Sequence, residues 1–118
     1  MVKKYLGVDV PSNQKGLLQD IHWSHGSFGY FPTYSLGSFY AAQFMHAARE
    51  AHPSLSDEFR QGNFGTLKSW LQTHVHGLGK QYSADDICKM ATGEGLNVDY
   101  FMNYAKAKYS LVYDTTLT

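Results

Sequence analysis

The chain has 118 residues, a length typical of one small domain, and it carries ten basic and ten acidic side chains. A formal charge of zero argues against the strongly basic surface by which proteins bind nucleic acids or anionic membranes. The single cysteine, Cys88, excludes an intrachain disulfide, and no apolar run reaches the roughly 18–20 residues of a membrane span.

These features favour a soluble protein of the cytoplasm. One unpaired cysteine fits a reducing compartment. The residues after Met1 lack the apolar segment that a secretory signal peptide carries. We therefore expect a cytoplasmic protein with neither a membrane nor a nucleic acid as its partner.

The first third of the chain shows few signs of regular helix. Residues 5–7 are typical of a helix end, because glycine commonly terminates a helix. The following segment, residues 16–34, contains the helix breakers Gly16, Gly26, Gly29 and Pro32, which predict irregular or short β structure. In an extended segment, Asp20 and His22 would project to the same side, since side chains alternate along a strand.

The remainder of the chain has the apolar spacing of amphipathic helices. This spacing predicts helices over residues 34–51, 54–60, 66–78, 83–93 and 98–112. Pro53 ends the first of them because proline cannot continue a helix, and Ser83 opens the fourth in a capping-box variant with Asp86. Asn97 is expected to cap the last helix. Without repeats or long linkers, the chain is predicted to be one domain of the all-α class.

The same spacing predicts which helical side chains are buried. For helix 34–51 the inner face is Leu36, Phe39, Tyr40, Gln43, Phe44, Ala47 and Ala51. For helix 66–78 it is Leu67, Trp70, Leu71, His74, Val75 and Leu78. For the last two helices the predicted inner residues are Ile87, Cys88 and Ala91, and then Val98, Phe101, Met102, Ala105, Tyr109 and Val112. Cys88 in such a position is expected to be an inert, buried thiol.

Residues 16–34 are rich in both aromatic and polar side chains. The segment reads Gly-Leu-Leu-Gln-Asp-Ile-His-Trp-Ser-His-Gly-Ser-Phe-Gly-Tyr-Phe-Pro-Thr-Tyr. A packed core would hold fewer polar groups, and a solvent-exposed loop fewer aromatic ones. The composition is therefore typical of the wall of a binding cleft. A carboxylate beside an imidazole, as at Asp20 and His22, can fix the ring's tautomer and hold it ready for proton transfer.

The pattern Gly-x-x-Gln-Asp-x-His-Trp over residues 16–23 resembles the signature of the carboxypeptidase Taq family of zinc metallocarboxypeptidases. The similarity continues through residues 26–34, Gln61-Gly-Asn-Phe, Trp70-Leu71 with His76 and Gly79, Thr92-Gly-Glu, and Tyr100-Phe-Met-Asn-Tyr104 with Lys108-Tyr109. It covers nearly the whole chain. Because members of the family are several times longer, the chain resembles their C-terminal portion.

The resemblance implies a nearly all-helical, deeply grooved enzyme, often a homodimer, that releases single residues from the C-termini of peptides. In the family, a His-Glu-x-x-His helix supplies two zinc ligands and the general base, and a downstream glutamate supplies the third ligand. The chain lacks this motif, since the pattern His22-Trp-Ser-His25 has no glutamate. The family's arginine-bearing motif for the substrate carboxylate is also absent. We therefore expect zinc in the parent enzyme, no metal bound by this chain, and no activity of this chain alone.

The resemblance and the local chemistry together indicate candidate site residues. The candidate catalytic residues are His22, Asp20, Tyr30 and Tyr34, and the candidate substrate-binding residues are Gln19 and Trp23. His22, oriented by Asp20, is expected to donate a hydrogen bond to the developing oxyanion or to the end of the substrate. The tyrosines would contribute a second donor. Trp23, Phe28 and Phe31 fit a place in the core as well as a place in the cleft.

Three functions from different classes fit these residues. The first is the C-terminal segment of a metallocarboxypeptidase domain, with Met1 an interior residue of a longer chain whose upstream, metal-binding portion is missing. The second is a stand-alone helical module that binds peptides without cutting them. The third is a small metal protein that uses His22, His25 and a third group. A fragment would expose apolar surface, whereas the metal protein would retain stoichiometric zinc.

Overall fold

The computed structural model describes residues 1–117, and all of their regular structure is helical. Six α-helices follow in chain order: α1 (Val2–Leu6), α2 (Thr33–Ala51), α3 (Leu55–Arg60), α4 (Gly65–His74), α5 (Ala84–Thr92) and α6 (Asp99–Tyr113). Short 3₁₀ helices cover Leu17–Gln19 and His76–Leu78. The prediction of an all-α chain is confirmed, since residues 1–117 contain no strand. Within the same residues, no helix is both long enough and apolar enough to cross a bilayer.

The chain forms two compact units. The first is Met1–Tyr34, and the second begins at Ser35. The first unit contains α1, the 3₁₀ helix Leu17–Gln19, the first two residues of α2 and otherwise irregular chain, so the predicted irregular structure of residues 16–34 is confirmed up to the start of α2 at Thr33. Gly16 is needed there because a Cβ at this position would overlap Val10 Cγ1.

The core of the second unit lies where α2, α3 and α4 pack together. Ala48 and Leu55 are fully buried, and Trp70 is 6% exposed. Half-buried apolar residues surround this cluster: Phe44, Ala47, Phe59, Leu67, Leu71, Val75 and Ala91. The apolar stripe predicted for α4 therefore faces the core, and its most deeply buried residue is Trp70.

Helix α4 is shorter than the prediction of residues 66–78. Its α-helical part ends at His74, and the chain continues as the 3₁₀ helix His76–Leu78. Val75 marks the break, because its backbone angles of φ −127° and ψ −63° lie outside the helical region. Gly77 then passes so close to the Gln72 carbonyl oxygen that a Cβ would lie 2.7 Å from it. The tighter turn therefore depends on glycine at position 77.

The inner face predicted for α6 is wrong for most of its residues. Phe101 and Ala105 are half-buried, and the Phe101 ring packs edge-on against Phe39 at 5.2 Å between centroids. The other four predicted residues are exposed, at 44% for Val98, Met102 and Tyr109 and at 62% for Val112. Their spacing is apolar, but each keeps at least 44% of its surface exposed within residues 1–117. Amphipathic spacing identifies a face that can be buried, and packing decides whether it is.

Helix α5 begins and ends where its capping signals predicted. Ser83 has an extended backbone, and its Oγ accepts a hydrogen bond from the Asp86 N–H at 3.2 Å. The Ser83 hydroxyl in turn donates to Asp86 Oδ2 at 2.6 Å. At the other end, Gly93 adopts the left-handed conformation, and its N–H donates to the Lys89 carbonyl. Ser83 therefore satisfies one of the amide donors that every helix N-terminus leaves without an intrahelical partner.

Replacing Ser83 with alanine should reduce the free energy of unfolding by about 1 kcal/mol, because the Asp86 N–H loses its acceptor. The midpoint of urea unfolding, followed by circular dichroism, measures this loss. The variant Ser83→Asn supplies an equivalent side-chain acceptor and should restore most of the stability. Equal losses in both variants would mean that the cap does not stabilise α5.

Gln43 is the one buried polar residue among those that the structure describes, although its spacing placed it on an apolar face. Its Nε2 donates to Thr92 Oγ1 and to the Gly95 carbonyl oxygen, both at 3.0 Å. Its Oε1 accepts from the Asn97 N–H at 2.9 Å. These bonds attach the α5–α6 connection to α2. The N-cap of α6 is Val98, so the predicted cap Asn97 lies one residue too early, although its Oδ1 accepts a hydrogen bond from the Asp99 N–H at 2.9 Å.

Cys88 is a buried free thiol, as predicted. Burial raises its pKa above the ordinary cysteine value, because the thiolate would lose its hydration. A thiol in this state is a poor nucleophile at neutral pH.

Candidate functional site

The first unit brings the Asp20 carboxylate into direct contact with the His22 imidazole. Asp20 Oδ1 lies 2.6 Å from His22 Nδ1 and also accepts the His22 backbone N–H at 2.9 Å. The His22 side chain is 16% exposed and that of Asp20 is 41% exposed. One carboxylate oxygen therefore holds both the backbone and the ring of His22, while the ring still reaches the surface.

This contact arises from a turn rather than from a strand. Asp20 itself is extended, with φ −89° and ψ 118°, but the chain turns at His22. An aspartate whose side chain accepts the N–H two residues further on forms an Asx-turn, which competes with regular structure. Asp20 and His22 lie close together, as predicted. The predicted reason is wrong, because a turn brings the two side chains together and not the alternation of side chains along a strand.

The hydrogen bonds from His22 hold the pKa of the Asp20 carboxyl below its ordinary value, the backbone bond contributing most. A lowered pKa means that this interaction stabilises the folded state at neutral pH. The stabilisation is lost only as the pH falls through that lowered pKa. Asp20 is therefore ionised, and holds His22, across the physiological range.

Aromatic rings surround the His22 imidazole. The Tyr30 ring stacks on it at 5.7 Å between centroids, and Tyr34 meets it edge-on at 5.8 Å. The Tyr34 hydroxyl lies 3.4 Å from His22 Nε2. Phe31 and His25 also contact the His22 ring, at 5.5 and 5.8 Å between centroids. The structure thus brings all four candidate catalytic residues together.

The two candidate substrate-binding residues lie apart from this aromatic group. Gln19 donates from its side-chain amide to the Gln14 carbonyl oxygen at 2.7 Å, so one donor of that amide is used within the chain. The Trp23 indole packs against Phe28 at 5.9 Å between ring centroids. Trp23, Phe28 and Phe31 are 60%, 74% and 60% exposed, so none of the three is core in the described chain.

A shallow cavity of about 390 Å³ lies beside Asp20. Its lining residues are Leu17, Leu18, Asp20, Trp23 and Ser24. Leu17 and Leu18 are not among the predicted site residues, although both leucines directly precede the polar residues of the signature. Two exposed leucines beside the contact of Asp20 with His22 are a signal that could have identified them.

Residues 1–117 provide no set of ligands that fits a catalytic metal. No group of three or more His, Cys, Asp or Glu side chains in this range is arranged to hold a metal ion. His22 Nδ1 is hydrogen-bonded to Asp20, and His25 Nδ1 lies 3.0 Å from the Ser27 hydroxyl. A metal protein built on His22 and His25 therefore lacks its third ligand in this part of the chain.

The arrangement can bind and orient polar groups of a ligand. With Nδ1 bonded to Asp20, His22 Nε2 accepts a hydrogen bond when the ring is neutral and donates one when the ring is protonated. The contact of 3.4 Å with Tyr34 is long for a hydrogen bond, so an oxygen of a ligand can replace it at little cost. The Tyr30 and Tyr34 rings limit the positions from which such a ligand can approach.

The sequence profile of the carboxypeptidase Taq (M32) metallopeptidase family matches residues 1–109. The chain is 45% identical over 109 residues to Carboxypeptidase 1 of Bacillus subtilis (strain 168), covering 92% of this chain and 22% of that protein. It is 35% identical over 108 residues to Thermostable carboxypeptidase 1 of Pyrococcus furiosus, with the same two coverages. The chain thus spans about one fifth of the length of the curated relatives that it matches.

The fold agrees with that of a solved relative. The crystal structure of M32 carboxypeptidase from Deinococcus radiodurans R1 superimposes with a TM-score of 0.92 at 33% identity, covering 97% of this chain and 23% of that one. The predicted family is confirmed by a profile that spans most of the chain and by a fold shared at clear sequence identity. The chain belongs to the carboxypeptidase Taq (M32) metallopeptidase family.

Proposed function

We propose that this chain is the C-terminal segment of a metal-dependent carboxypeptidase that releases single residues from peptide C-termini. The observation that carries this proposal is the family match over residues 1–109, at up to 45% identity to a protein named as a carboxypeptidase. Residues 1–118 would form one segment of a larger catalytic domain. The ligands of the metal would come from the rest of that domain, because the chain has no His-Glu-x-x-His motif.

The contribution of this segment is to bind and orient the substrate. Asp20 holds His22 in place through two hydrogen bonds, so the ring need not reorganise when substrate arrives. In its protonated form, His22 would donate from Nε2 to the developing oxyanion or to the substrate's end. Tyr30 and Tyr34 would position the peptide and supply a second donor, while Gln19 and Trp23 shape the surrounding surface.

The exposed apolar side chains support a segment rather than a stand-alone module. Large apolar residues with more than two-thirds of their surface exposed occur in both units, for example Leu6 at 71%, Phe28 at 74% and Leu111 at 85%. A self-sufficient domain rarely leaves so much apolar surface without a partner. The remainder of the parent enzyme would cover these faces. We further propose zinc as the metal, a homodimer as the assembly, and the cytoplasm as the location.

Expression of the complete parent protein tests this function. The purified parent should release one residue at a time from the C-terminus of an unstructured peptide, as followed by mass spectrometry. A chelator should abolish the release, and added zinc should restore it. The 118-residue chain alone should release nothing under the same conditions.

Three results would contradict the proposal. Trimming of peptides by the isolated chain would place the whole catalytic apparatus within it. Undiminished release by the parent after metal removal, verified by elemental analysis, would exclude a metal-dependent reaction. A chain that binds peptides while its parent cuts none would instead be the binding module.

A further inference from the structure

Two polar groups of the aromatic site face each other across a short gap. His22 Nε2 and the Tyr34 hydroxyl are 3.4 Å apart, so one ligand oxygen that displaces this long contact can be bound by both groups. Two donors act on one oxygen only while their spacing is kept, because a hydrogen bond weakens steeply when its distance or angle departs from the optimum. The chemistry of this pair therefore depends on whatever fixes the spacing of the two rings.

The Phe31 ring contacts both members of this pair. It meets the His22 ring at 5.5 Å between centroids with an interplanar angle of 78°, and the Tyr34 ring at 5.8 Å with an angle of 72°. Both contacts have the edge-to-face geometry that aromatic pairs favour, since the positive edge of one ring meets the negative face of the other. Phe31 has no side-chain group that can donate, accept or titrate, so it acts only through the rings that it contacts.

The backbone around these rings is also held in place. The Tyr34 N–H donates to the Phe31 carbonyl oxygen at 3.2 Å, which links the two residues directly. The His22 N–H donates to Asp20 Oδ1 at 2.9 Å, and the His22 carbonyl oxygen accepts from the Ser27 N–H at 2.8 Å. With the backbone fixed on both sides, the spacing of the His22 and Tyr34 rings is set by their side-chain torsions. Phe31 packs against both rings and limits those torsions.

We propose that Phe31 is a positioning residue, which keeps His22 and Tyr34 at the spacing that lets both donate to one oxygen of the substrate. The identity of that oxygen, the developing oxyanion, rests on the proposed carboxypeptidase function. The spacing itself rests on contacts inside the first unit. Phe31 is 60% exposed, but cover of its outer surface by the rest of the parent would leave these contacts in place.

The kinetics of the parent enzyme test this role first. The variant Phe31→Leu keeps an apolar side chain but removes the ring, and it should lower kcat about tenfold with little change in KM. The loss should appear in kcat because the oxyanion forms only in the transition state. The conservative variant Phe31→Tyr keeps the ring and should restore most of the wild-type kcat.

Phe64 provides the matched control. It is 58% exposed, close to the 60% of Phe31, and its ring stacks on Phe59 in the second unit. The variant Phe64→Leu therefore removes an equally exposed ring outside the first unit and should leave both kcat and KM unchanged. Circular dichroism verifies that each variant remains helical.

Nuclear Overhauser effects in the 118-residue chain give a readout that does not depend on activity. Cross-peaks between the His22 imidazole protons and the Tyr34 ring protons report the spacing of two residues that the variants leave unchanged. These cross-peaks should be present in the wild type and in Phe31→Tyr, and they should weaken severalfold in Phe31→Leu. The cross-peaks between Trp70 and His74, whose ring centroids are 4.8 Å apart in α4, serve as the internal control.

The outcomes separate this proposal from the proposed function. A wild-type kcat in Phe31→Leu, a loss confined to KM, or equal losses in Phe31→Leu and Phe31→Tyr would overturn the positioning role. Cross-peaks that are absent from the wild-type chain or unchanged in Phe31→Leu would overturn it as well. Cross-peaks that weaken in Phe31→Leu, in a chain whose parent cuts no peptide, would overturn the carboxypeptidase function and retain the positioning of the two rings.

Discussion

Replacement of His22 by alanine in the full-length parent should lower kcat/KM about a hundredfold. One preorganised hydrogen-bond donor aimed at developing negative charge is typically worth about 3 kcal/mol. His22 has the required rigidity, because Asp20 Oδ1 holds its ring at 2.6 Å and its backbone N–H at 2.9 Å. Single-residue release from a synthetic peptide, quantified by chromatography, gives kcat and KM separately.

The adjacent histidine provides the matched control. His25 lies 5.8 Å from His22 between ring centroids, and its Nδ1 is near Ser27 rather than Asp20. The variant His25→Ala should therefore change kcat/KM by no more than a few-fold. A loss that appears mainly in kcat identifies a role in the transition state, whereas a loss confined to KM identifies uniform binding. An unchanged catalytic efficiency of His22→Ala would remove the proposed role.

The variant Asp20→Asn tests the positioning of His22. Asparagine can still accept the His22 N–H through its carbonyl oxygen but lacks the negative charge beside the ring. We expect kcat/KM to lie between those of the wild type and His22→Ala. The loss should appear mainly in kcat, because the His22 hydrogen bond to the oxyanion is made in the transition state. A kcat/KM equal to that of the wild type would mean that the charge of Asp20 does not contribute to the positioning of His22.

Replacement of Gln43 by leucine should destabilise the chain by about 3 kcal/mol, because it leaves buried backbone groups without partners. Gln43 is fully buried, and its amide binds the Gly95 carbonyl oxygen and the Asn97 N–H. Leucine fits the volume approximately but satisfies neither group. The free energy of unfolding in urea, measured on the 118-residue chain, gives the loss.

An exposed glutamine of α4 provides the control for this substitution. Gln72→Leu replaces the same residue type in a helix at an exposed position, and surface changes of this kind are within about 0.5 kcal/mol. Equal losses in Gln43→Leu and Gln72→Leu would contradict a stabilising role of the Gln43 hydrogen bonds.

A second substitution at position 43 tests the direction of the hydrogen bonds through the dependence of stability on pH. Gln43→Glu keeps the shape of the side chain, but its ionised form cannot donate to the Gly95 carbonyl oxygen. Burial raises the pKa of such a carboxyl in the folded state. The variant should therefore be least stable at neutral pH and should regain stability as the pH falls and the carboxyl becomes protonated.

Local signals in the sequence were sufficient to predict most helix boundaries. Residues 34–51 were predicted and Thr33–Ala51 is observed, because Pro53 prevents continuation whatever the surroundings. Ser83 and Gly93 delimit α5 in the same way, through a side-chain cap and a left-handed backbone. Each of these signals acts within a few residues of the position that it controls, so tertiary packing has little opportunity to override it.

The candidate site could be predicted in part. The proximity of Asp20 and His22 follows from their separation of two residues, and the aromatic residues of the same segment were expected nearby. The path of the backbone could not be predicted, because breaker-rich sequence permits many turns. The Asx-turn at Asp20, the contact of Phe31 with His22 and the cavity lined by Leu17 and Leu18 all depend on that path.

The sequence by itself determined the family, the helical class and the ends of α2 and α5, since motifs and caps are properties of short segments. Tertiary structure alone decided the burial of Gln43, whose partners lie 49 to 54 residues away along the chain. It also decided the exposure of Met102 and Tyr109, which have apolar spacing but remain 44% exposed. Burial depends on which distant residues pack against a face, and that information is absent from the face itself.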